Sequence, residues 1–129
     1  MKPAILMVDD DKTVLDSLLY QLKDTFGFDY HYEAALSVEE ANEILQELKE
    51  EGQPVKLIIT DWLMPDTKGD SFLIDVHDRF PDTKLLMLSG YADQESVDQA
   101  RQMVPLGGYI RKPWEEKELI DTVTQLLQQ

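Results

Sequence analysis

The sequence predicts an α/β fold in which a five-stranded parallel sheet carries helices on both faces. Five short segments suited to strands alternate with five segments whose apolar residues recur at helical spacing. Such alternation is typical of parallel sheets, because each crossover helix returns the chain to the same end of the sheet. The clearest strand segments are almost entirely apolar, as strands buried on both faces are.

The five predicted strands differ in how clearly the sequence indicates them. Residues 4–8 and 84–88 are short apolar runs, and residues 55–59 combine a similar run with β-branched side chains. Residues 109–111 form a shorter segment of the same kind. Residues 29–35 are rich in aromatic residues and less apolar, so this second strand is expected near an edge of the sheet.

Each predicted helix follows a strand and has one apolar face. Asp11 is expected to cap the first helix, and Ser37 with Glu40 forms a capping box for the second. In order, the helices are predicted from about residue 12 to Gly27, from Ser37 to Gly52, from the polar loop 66–70 to Pro81, over about 94–104, and over about 115–128.

Right-handed crossovers leave few topologies for this chain. The doubly wound strand order 2-1-3-4-5, the flavodoxin-like arrangement, is the one that we expect. With 129 residues, of which 43% are hydrophobic, the chain is long enough for one domain with its own core. Residues 1–129 are therefore predicted to form a single domain.

Composition excludes several classes of function. The formal net charge of −14 disfavours direct binding to nucleic acid or to anionic membrane surfaces. The absence of cysteine excludes disulfides and cysteine-ligated zinc. No apolar run reaches the ~18 residues of a membrane span. The N-terminus lacks the pattern of a signal peptide, so a cytoplasmic location is expected.

Polar residues follow four of the five predicted strands. Asp9 and Asp10 follow the first strand, Asp61 the third, Ser89 the fourth and Lys112 the fifth. Because parallel strands end at the same edge of the sheet, we expect these side chains to converge there. Each residue alone could cap a helix or a turn. Four coincidences at matching strand ends favour a functional site instead.

The predicted cluster has the chemistry of a phosphoryl-transfer site. Three carboxylates in one pocket repel one another, and a divalent cation would compensate them. Oxygen ligands without histidine or cysteine select Mg²⁺ or Mn²⁺. Lys112 supplies a positive charge and Ser89 a hydrogen bond for phosphate oxygens. A carboxylate can also be the nucleophile, which would give an aspartyl-phosphate.

Four short motifs carry these residues. They are Val8-Asp9-Asp10, Asp61-x-x-Met64-Pro65-x-x-x-Gly69, Ser89-Gly90, and Lys112-Pro113 with Tyr109 three residues before the lysine. Together they closely resemble the receiver domain of bacterial two-component response regulators, of the chemotaxis-regulator-like kind. The resemblance covers essentially the whole chain.

The resemblance implies a role for each carboxylate. Asp61 would accept a phosphoryl group from a phosphohistidine on a sensor histidine kinase or a phosphotransfer protein. Asp10 and Asp61 would ligate Mg²⁺ directly together with the Leu63 carbonyl, and Asp9 would act through water. Such a domain catalyses its own phosphorylation and dephosphorylation but serves mainly as a regulatory switch.

The resemblance also implies a switching mechanism. Ser89 and Lys112 would bind the phosphoryl oxygens, Ser89 would move towards the phosphate, and Tyr109 would swing inward behind it. The fourth helix, fifth strand and fifth helix would then present a changed surface to a downstream effector domain or protein, and this surface could mediate homodimerisation. Leu63 and Tyr91 would border the path of the hydrolytic water, so slow dephosphorylation is expected.

Three other functions fit parts of the sequence. Asp9-x-Asp11-x-Thr13 matches the first motif of haloacid-dehalogenase-type phosphatases, with Asp9 as nucleophile and Asp11 as general acid. That family needs a further acidic motif after the lysine, and the interpretation leaves Asp61 without a role. A flavodoxin-like mononucleotide binder would need a phosphate-binding loop where three aspartates stand. A degenerate receiver serving only for docking would not need all the site residues.

Overall fold

A parallel sheet of five strands forms the centre of the structure, a computed structural model that describes residues 1–61, 63–64, 67–90, 98, 101–102 and 104–128. In chain order the strands of the described residues are β1 (Ala4–Val8), β2 (His31–Ala35), β3 (Val55–Asp61), β4 (Leu63–Met64), β5 (Thr67–Lys68), β6 (Lys84–Ser89) and β7 (Gly108–Arg111). Of these, β4 and β5 form a separate sheet of two strands. The main sheet has the order β2-β1-β3-β6-β7, with every neighbouring pair parallel. The predicted flavodoxin-like order is therefore confirmed.

Four helices have both of their ends within the described residues. They are α1 (Lys12–Phe26), α2 (Val38–Glu50), α3 (Gly69–Arg79) and α4 (Glu116–Leu127). The helix α4 is the fifth predicted helix. The fourth, predicted over about 94–104, falls mostly outside the described residues, but Asp98, Arg101 and Gln102 are described and helical. None of the helices in the described part of the chain could cross a bilayer, and the cytoplasmic location stays a prediction.

The side chains of β1 alternate between two apolar layers, one on each face of the sheet. Leu6 and Val8 pack in the layer beneath α2 and α3, whereas Ile5 and Met7 pack in the layer beneath α1 and α4. All five side chains of the strand are buried. The strand is apolar throughout because both of its faces are covered.

The helix starts follow the capping residues that the sequence indicates. The Asp11 side chain accepts a hydrogen bond of 2.9 Å from the Thr13 backbone N–H at the start of α1. The Ser37 hydroxyl accepts one of 3.1 Å from the Glu40 N–H at the start of α2. Each cap satisfies a helix N–H that has no partner within the helix.

Two segments differ from the prediction. The second strand begins at His31 rather than at residue 29, because β1 begins at Ala4 and pairs that residue with His31. Residues Gly27–Asp29 form a 3₁₀ turn instead. The loop predicted at 66–70 is also shorter, since β5 pairs antiparallel with β4 and α3 already begins at Gly69.

Candidate functional site

The carboxyl ends of the central strands bring the predicted site residues to one edge of the sheet. Val8 of β1 lies beside Thr60 of β3, so Asp9 follows at the level of Asp61. Asp61 is the last residue of β3 and Ser89 the last residue of β6. The apolar runs therefore end where the polar side chains of neighbouring strands meet.

Three carboxylates form the centre of the site. One oxygen from each of Asp9, Asp10 and Asp61 lies within 4.8 Å of the other two. Asp9 has no exposed surface and Asp61 is 7% exposed, whereas Asp10 is exposed. The cluster is thus buried where it meets the sheet and open to solvent at Asp10.

Lys112 joins two of these carboxylates. Its Nζ donates to Asp9 Oδ2 at 2.5 Å and to Asp61 Oδ2 at 3.0 Å. Burial by itself would lower the pKa of this lysine, but the hydrogen bonds and negative charges of Asp9 and Asp61 outweigh burial and raise the pKa above its ordinary value. The side chain is therefore held as an ammonium group between two acids.

The run of three aspartates divides into three different environments. Asp9 Oδ1 accepts a hydrogen bond of 2.9 Å from the Asp11 N–H, and Asp9 Oδ2 accepts the one from Lys112. Both oxygens of Asp9 are thus engaged by the protein. Asp11 caps α1, and Asp10 extends between them towards solvent.

The remaining predicted residues occupy different depths. Ser89 is buried, and its carbonyl accepts a hydrogen bond of 2.8 Å from the Lys112 N–H. Tyr109 is partly buried against the apolar layer beneath α2 and α3. Leu63 lies in β4, two residues beyond Asp61. Tyr91, predicted near the path of water, falls outside the described residues.

The carboxylate spacing suits a hard divalent cation. Octahedral Mg²⁺ with ligands at about 2.1 Å places its ligand atoms about 3 to 4.2 Å apart. Carboxylate oxygens within 4.8 Å of one another match this geometry if one of the three acids acts through water. Asp9 is the carboxylate best suited to the outer position, because both of its oxygens already accept hydrogen bonds.

A pocket beside Lys112 was not predicted from the sequence. It has a volume of about 440 Å³ and lies between α1 and the loop after β7, with Ser17, Gln21, Lys112 and Trp114 among its lining residues. The Trp114 indole N–H donates to Gln21 Oε1 at 2.9 Å. A tryptophan directly after Lys112-Pro113 is the sequence signal, but its partner lies 93 positions away.

Comparison with known proteins agrees with this fold. The model of the response regulator receiver domain family matches residues 5–124. The hydrogenase transcriptional regulatory protein HoxA of Cupriavidus necator is 34% identical over 125 residues, which cover 97% of this chain and 24% of HoxA. The chain thus spans about a quarter of the length of that relative.

Two solved structures have the same fold. The signal receiver domain of an HD domain-containing protein from Pseudomonas fluorescens Pf-5 superposes with a TM-score of 0.85 at 26% identity, over 99% of this chain and 96% of that one. A CheY-like receiver domain protein from Methanospirillum hungatei JF-1 gives 0.82 at 28% identity, over 99% and 95%. Since the family model covers nearly the whole sequence, the chain belongs to the response regulator receiver domain family.

Proposed function

We propose that this receiver domain is the phosphoacceptor of a two-component system and that Asp61 takes up the phosphoryl group, with Mg²⁺ as cofactor. The donor would be a phosphohistidine on a sensor histidine kinase or a phosphotransfer protein. One observation carries the proposal. An ammonium group bridges two of three clustered carboxylates at the edge of the sheet where strand ends converge.

Asp61 is the acid best placed to attack phosphorus. It is held by Lys112 and still retains some exposed surface. Asp9 has no exposed surface, and both of its oxygens accept hydrogen bonds. Asp10 lies at the exposed side of the cluster, which suits a metal ligand better than a positioned nucleophile.

The proposed metal ligands are the carboxylates of Asp10 and Asp61 and the Leu63 carbonyl, with Asp9 acting through water. Bound Mg²⁺, or Mn²⁺ in its place, would neutralise the carboxylates and phosphoryl oxygens. Before a donor arrives, Lys112 already compensates part of the negative charge. We therefore expect weak binding of Mg²⁺ in the absence of phosphate.

In the proposed reaction, an oxygen of Asp61 forms a bond to phosphorus as the bond between phosphorus and the donor imidazole breaks. The imidazole nitrogen keeps the electron pair, and a proton from solvent leaves the ring neutral. Lys112 and Ser89 would bind the phosphoryl oxygens. Lys112 is close enough for this role, since its Nζ lies 3.0 Å from Asp61 Oδ2.

The pairing of β6 with β7 offers a route by which phosphorylation would change the surface. Met87 pairs with Tyr109, and Ser89 pairs with Arg111. A movement of Ser89 towards the phosphate would open space into which Tyr109 swings. The predicted fourth helix, β7 and α4 would then engage an effector domain or protein, or a second copy of the chain, and not nucleic acid directly.

The phosphatase interpretation receives less support. As a general acid, Asp11 would have to face the substrate, but its carboxylate accepts the Thr13 N–H at the helix start. As a nucleophile, Asp9 would have to attack from a position with no exposed surface, where each of its oxygens already accepts a hydrogen bond. These contacts count against the roles that the phosphatase interpretation gives to Asp9 and Asp11.

The lifetime of the phosphorylated form stays a prediction from the resemblance. Leu63 and Tyr91 lack the amide or carboxylate that would orient a hydrolytic water, so hydrolysis is expected to be slow. The double variant Leu63→Asn, Tyr91→Ala should lose phosphate about tenfold faster. Decay of the isolated phosphoprotein at the parental rate would contradict this expectation.

Labelling with a radioactive phosphodonor and Mg²⁺ tests the acceptor assignment. Asp61→Asn should abolish acid-stable, hydroxylamine-labile incorporation, while Asp16→Asn on the exposed face of α1 controls for loss of one charge. Label that survives in Asp61→Asn but disappears in Asp9→Asn would favour the phosphatase instead. A parent that folds, binds Mg²⁺ and takes up no label would favour the docking module.

A further inference from the structure

The loop that carries Lys112 is fastened at two points. On one side, the Lys112 N–H donates to the Ser89 carbonyl at 2.8 Å. On the other, the Trp114 indole N–H donates to Gln21 Oε1 at 2.9 Å. Only Pro113 lies between Lys112 and Trp114, and its ring restricts its own φ. The lysine is therefore set between a strand and a helix.

We propose that the hydrogen bond between Gln21 and Trp114 is a clamp that holds the Lys112 ammonium group at Asp61. Gln21 and Trp114 are then positioning residues for phosphoryl transfer, although neither touches the reacting atoms. This inference rests on the proposed function, since the position of Lys112 affects the rate only if Asp61 is the acceptor.

The helix that supplies Gln21 is itself joined to the site. The Asp11 N–H donates to Asp9 Oδ1 at 2.9 Å, and the Asp11 side chain caps the same helix. Asp9 and Lys112 are also bonded directly. Asp9 is thus connected to Lys112 in two ways, directly and through α1 and the bond between Gln21 and Trp114. The second connection fixes the loop that carries Lys112 relative to Asp9.

The pocket beside the loop shows why a clamp would matter. Thr13 and Ser17 of α1 line this pocket together with Lys112 and Trp114, and its volume is about 440 Å³. The pocket adjoins Lys112, so the lysine has room to shift if the hydrogen bond is lost. Rates of group transfer fall when a positioned group moves by about 1 Å.

Trp114 also permits a clean substitution. Its ring is partly buried against the apolar layer beneath α1 and α4. Trp114→Phe keeps an aromatic ring there and removes the indole donor. Gln21→Leu removes the acceptor at similar volume, whereas Gln21→Glu keeps an acceptor oxygen and serves as the rescue variant.

A matched control exists in the same apolar layer. Tyr32 is partly buried there, and its hydroxyl donates to the Gly27 carbonyl at 3.0 Å. Tyr32→Phe therefore removes a hydroxyl that also lies 3.4 Å from the Leu22 carbonyl, near the C-terminal end of α1. It should lower thermal stability about as much as Trp114→Phe without affecting Lys112.

The first arm of the test measures the rate constant for phosphorylation by phosphoramidate with saturating Mg²⁺. Gln21→Leu and Trp114→Phe should each lower it about fivefold, with Mg²⁺ affinity unchanged, and the double variant should be no slower than the slower single variant. Gln21→Glu and Tyr32→Phe should keep the parental rate. Parental rates in Gln21→Leu and Trp114→Phe, or additive losses in the double variant, would overturn the proposal.

The second arm does not depend on phosphorylation. Hydrogen exchange at the Lys112 amide should become faster in Gln21→Leu and Trp114→Phe, relative to the Asp9 amide that is bonded to the Ala35 carbonyl. Unchanged exchange in both variants would refute the clamp. If the parent takes up no phosphate on Asp61, the proposed function fails, and this arm alone decides whether the clamp holds the loop.

Discussion

Two ion-paired regions of this domain differ in burial. At the carboxyl edge of the sheet, Lys112 is 19% exposed and its partner Asp9 is fully buried. On the surface near α2, Arg79 pairs with Asp75 at 2.9 Å, and Asp75 is 53% exposed. Arg79 also donates to Asn42 at 2.9 Å and thereby ties α3 to α2.

Burial determines how much each set of charges contributes to stability. Because water screens the pair of Arg79 and Asp75, this ion pair contributes little to the free energy of unfolding. The buried acids depend on Lys112, because removing one partner leaves a charge with no solvent to stabilise it. If Lys112 binds a phosphoryl oxygen, as proposed above, its contacts with Asp9 and Asp61 would change, and the stability of the structure around them would change as well.

The largest expected effect is that of Lys112→Met. It should reduce phosphorylation by phosphoramidate about a hundredfold or more, because the ammonium that would stabilise the transferring oxygens is lost. It should also destabilise the protein by about 3 kcal/mol in the absence of Mg²⁺, as expected for a broken buried pair. Label uptake and urea unfolding measure the two effects.

Asp75→Asn is the matched control for the surface pair. It should leave phosphorylation unchanged and alter the free energy of unfolding by less than about 1 kcal/mol. Equal destabilisation by the two substitutions would contradict the contrast between the buried and the exposed pair.

An intermediate effect is expected at Asp10. Asp10→Ala should weaken Mg²⁺ binding about tenfold, because a direct carboxylate ligand is removed. Asp16→Ala removes a charge from the exposed face of α1 and should change the affinity little. Titration calorimetry measures both, and an Asp10→Ala affinity equal to that of the parent would show that Asp10 is not a ligand.

The smallest effect is expected in the alkaline stability of the protein. The pKa of Lys112 is raised above its ordinary value of 10.5, since Asp9 and Asp61 outweigh burial. A group with a raised pKa in the folded state stabilises the fold fully below its ordinary pKa and loses that contribution as the pH rises through the folded-state pKa. Stability should therefore fall above pH 10.5.

Tyr32 acts in the same direction, because burial and then the charge of Asp29 raise the pKa of its phenol above 10.0. Thermal unfolding between about pH 9 and 12 should show a shallower alkaline decline in Tyr32→Phe and in Lys112→Met than in the parent. A decline equally steep in both variants would assign the alkaline sensitivity to other groups.

The features that the sequence predicts well are local. The change from apolar to polar residues marks the ends of β1 and β3, so it also locates Asp9 and Asp61. Capping by Asp11 and Ser37 is likewise predictable, because each side chain bonds to a backbone N–H no more than three residues further along the chain.

The features that escape prediction depend on contacts between distant segments. The start of β2 is set by its register with β1, and two-residue strands such as β4 are too short to leave a periodic pattern. Asp9 and Asp10 have different environments because Lys112 bonds to Asp9, which lies 103 positions away in the sequence. The bond between Gln21 and Trp114 joins a helix to a loop in the same way.

Chemical mapping of the phosphorylated parent can identify the phosphoacceptor, which we propose to be Asp61. The protein is phosphorylated with phosphoramidate and Mg²⁺ and then reduced with borohydride, which converts a phosphorylated aspartate to homoserine. Peptide mass spectrometry should find homoserine at position 61, with Asp9 and Asp10 unmodified. Homoserine at position 9 or 10, or a labelled protein with aspartate intact at position 61, would contradict the assignment.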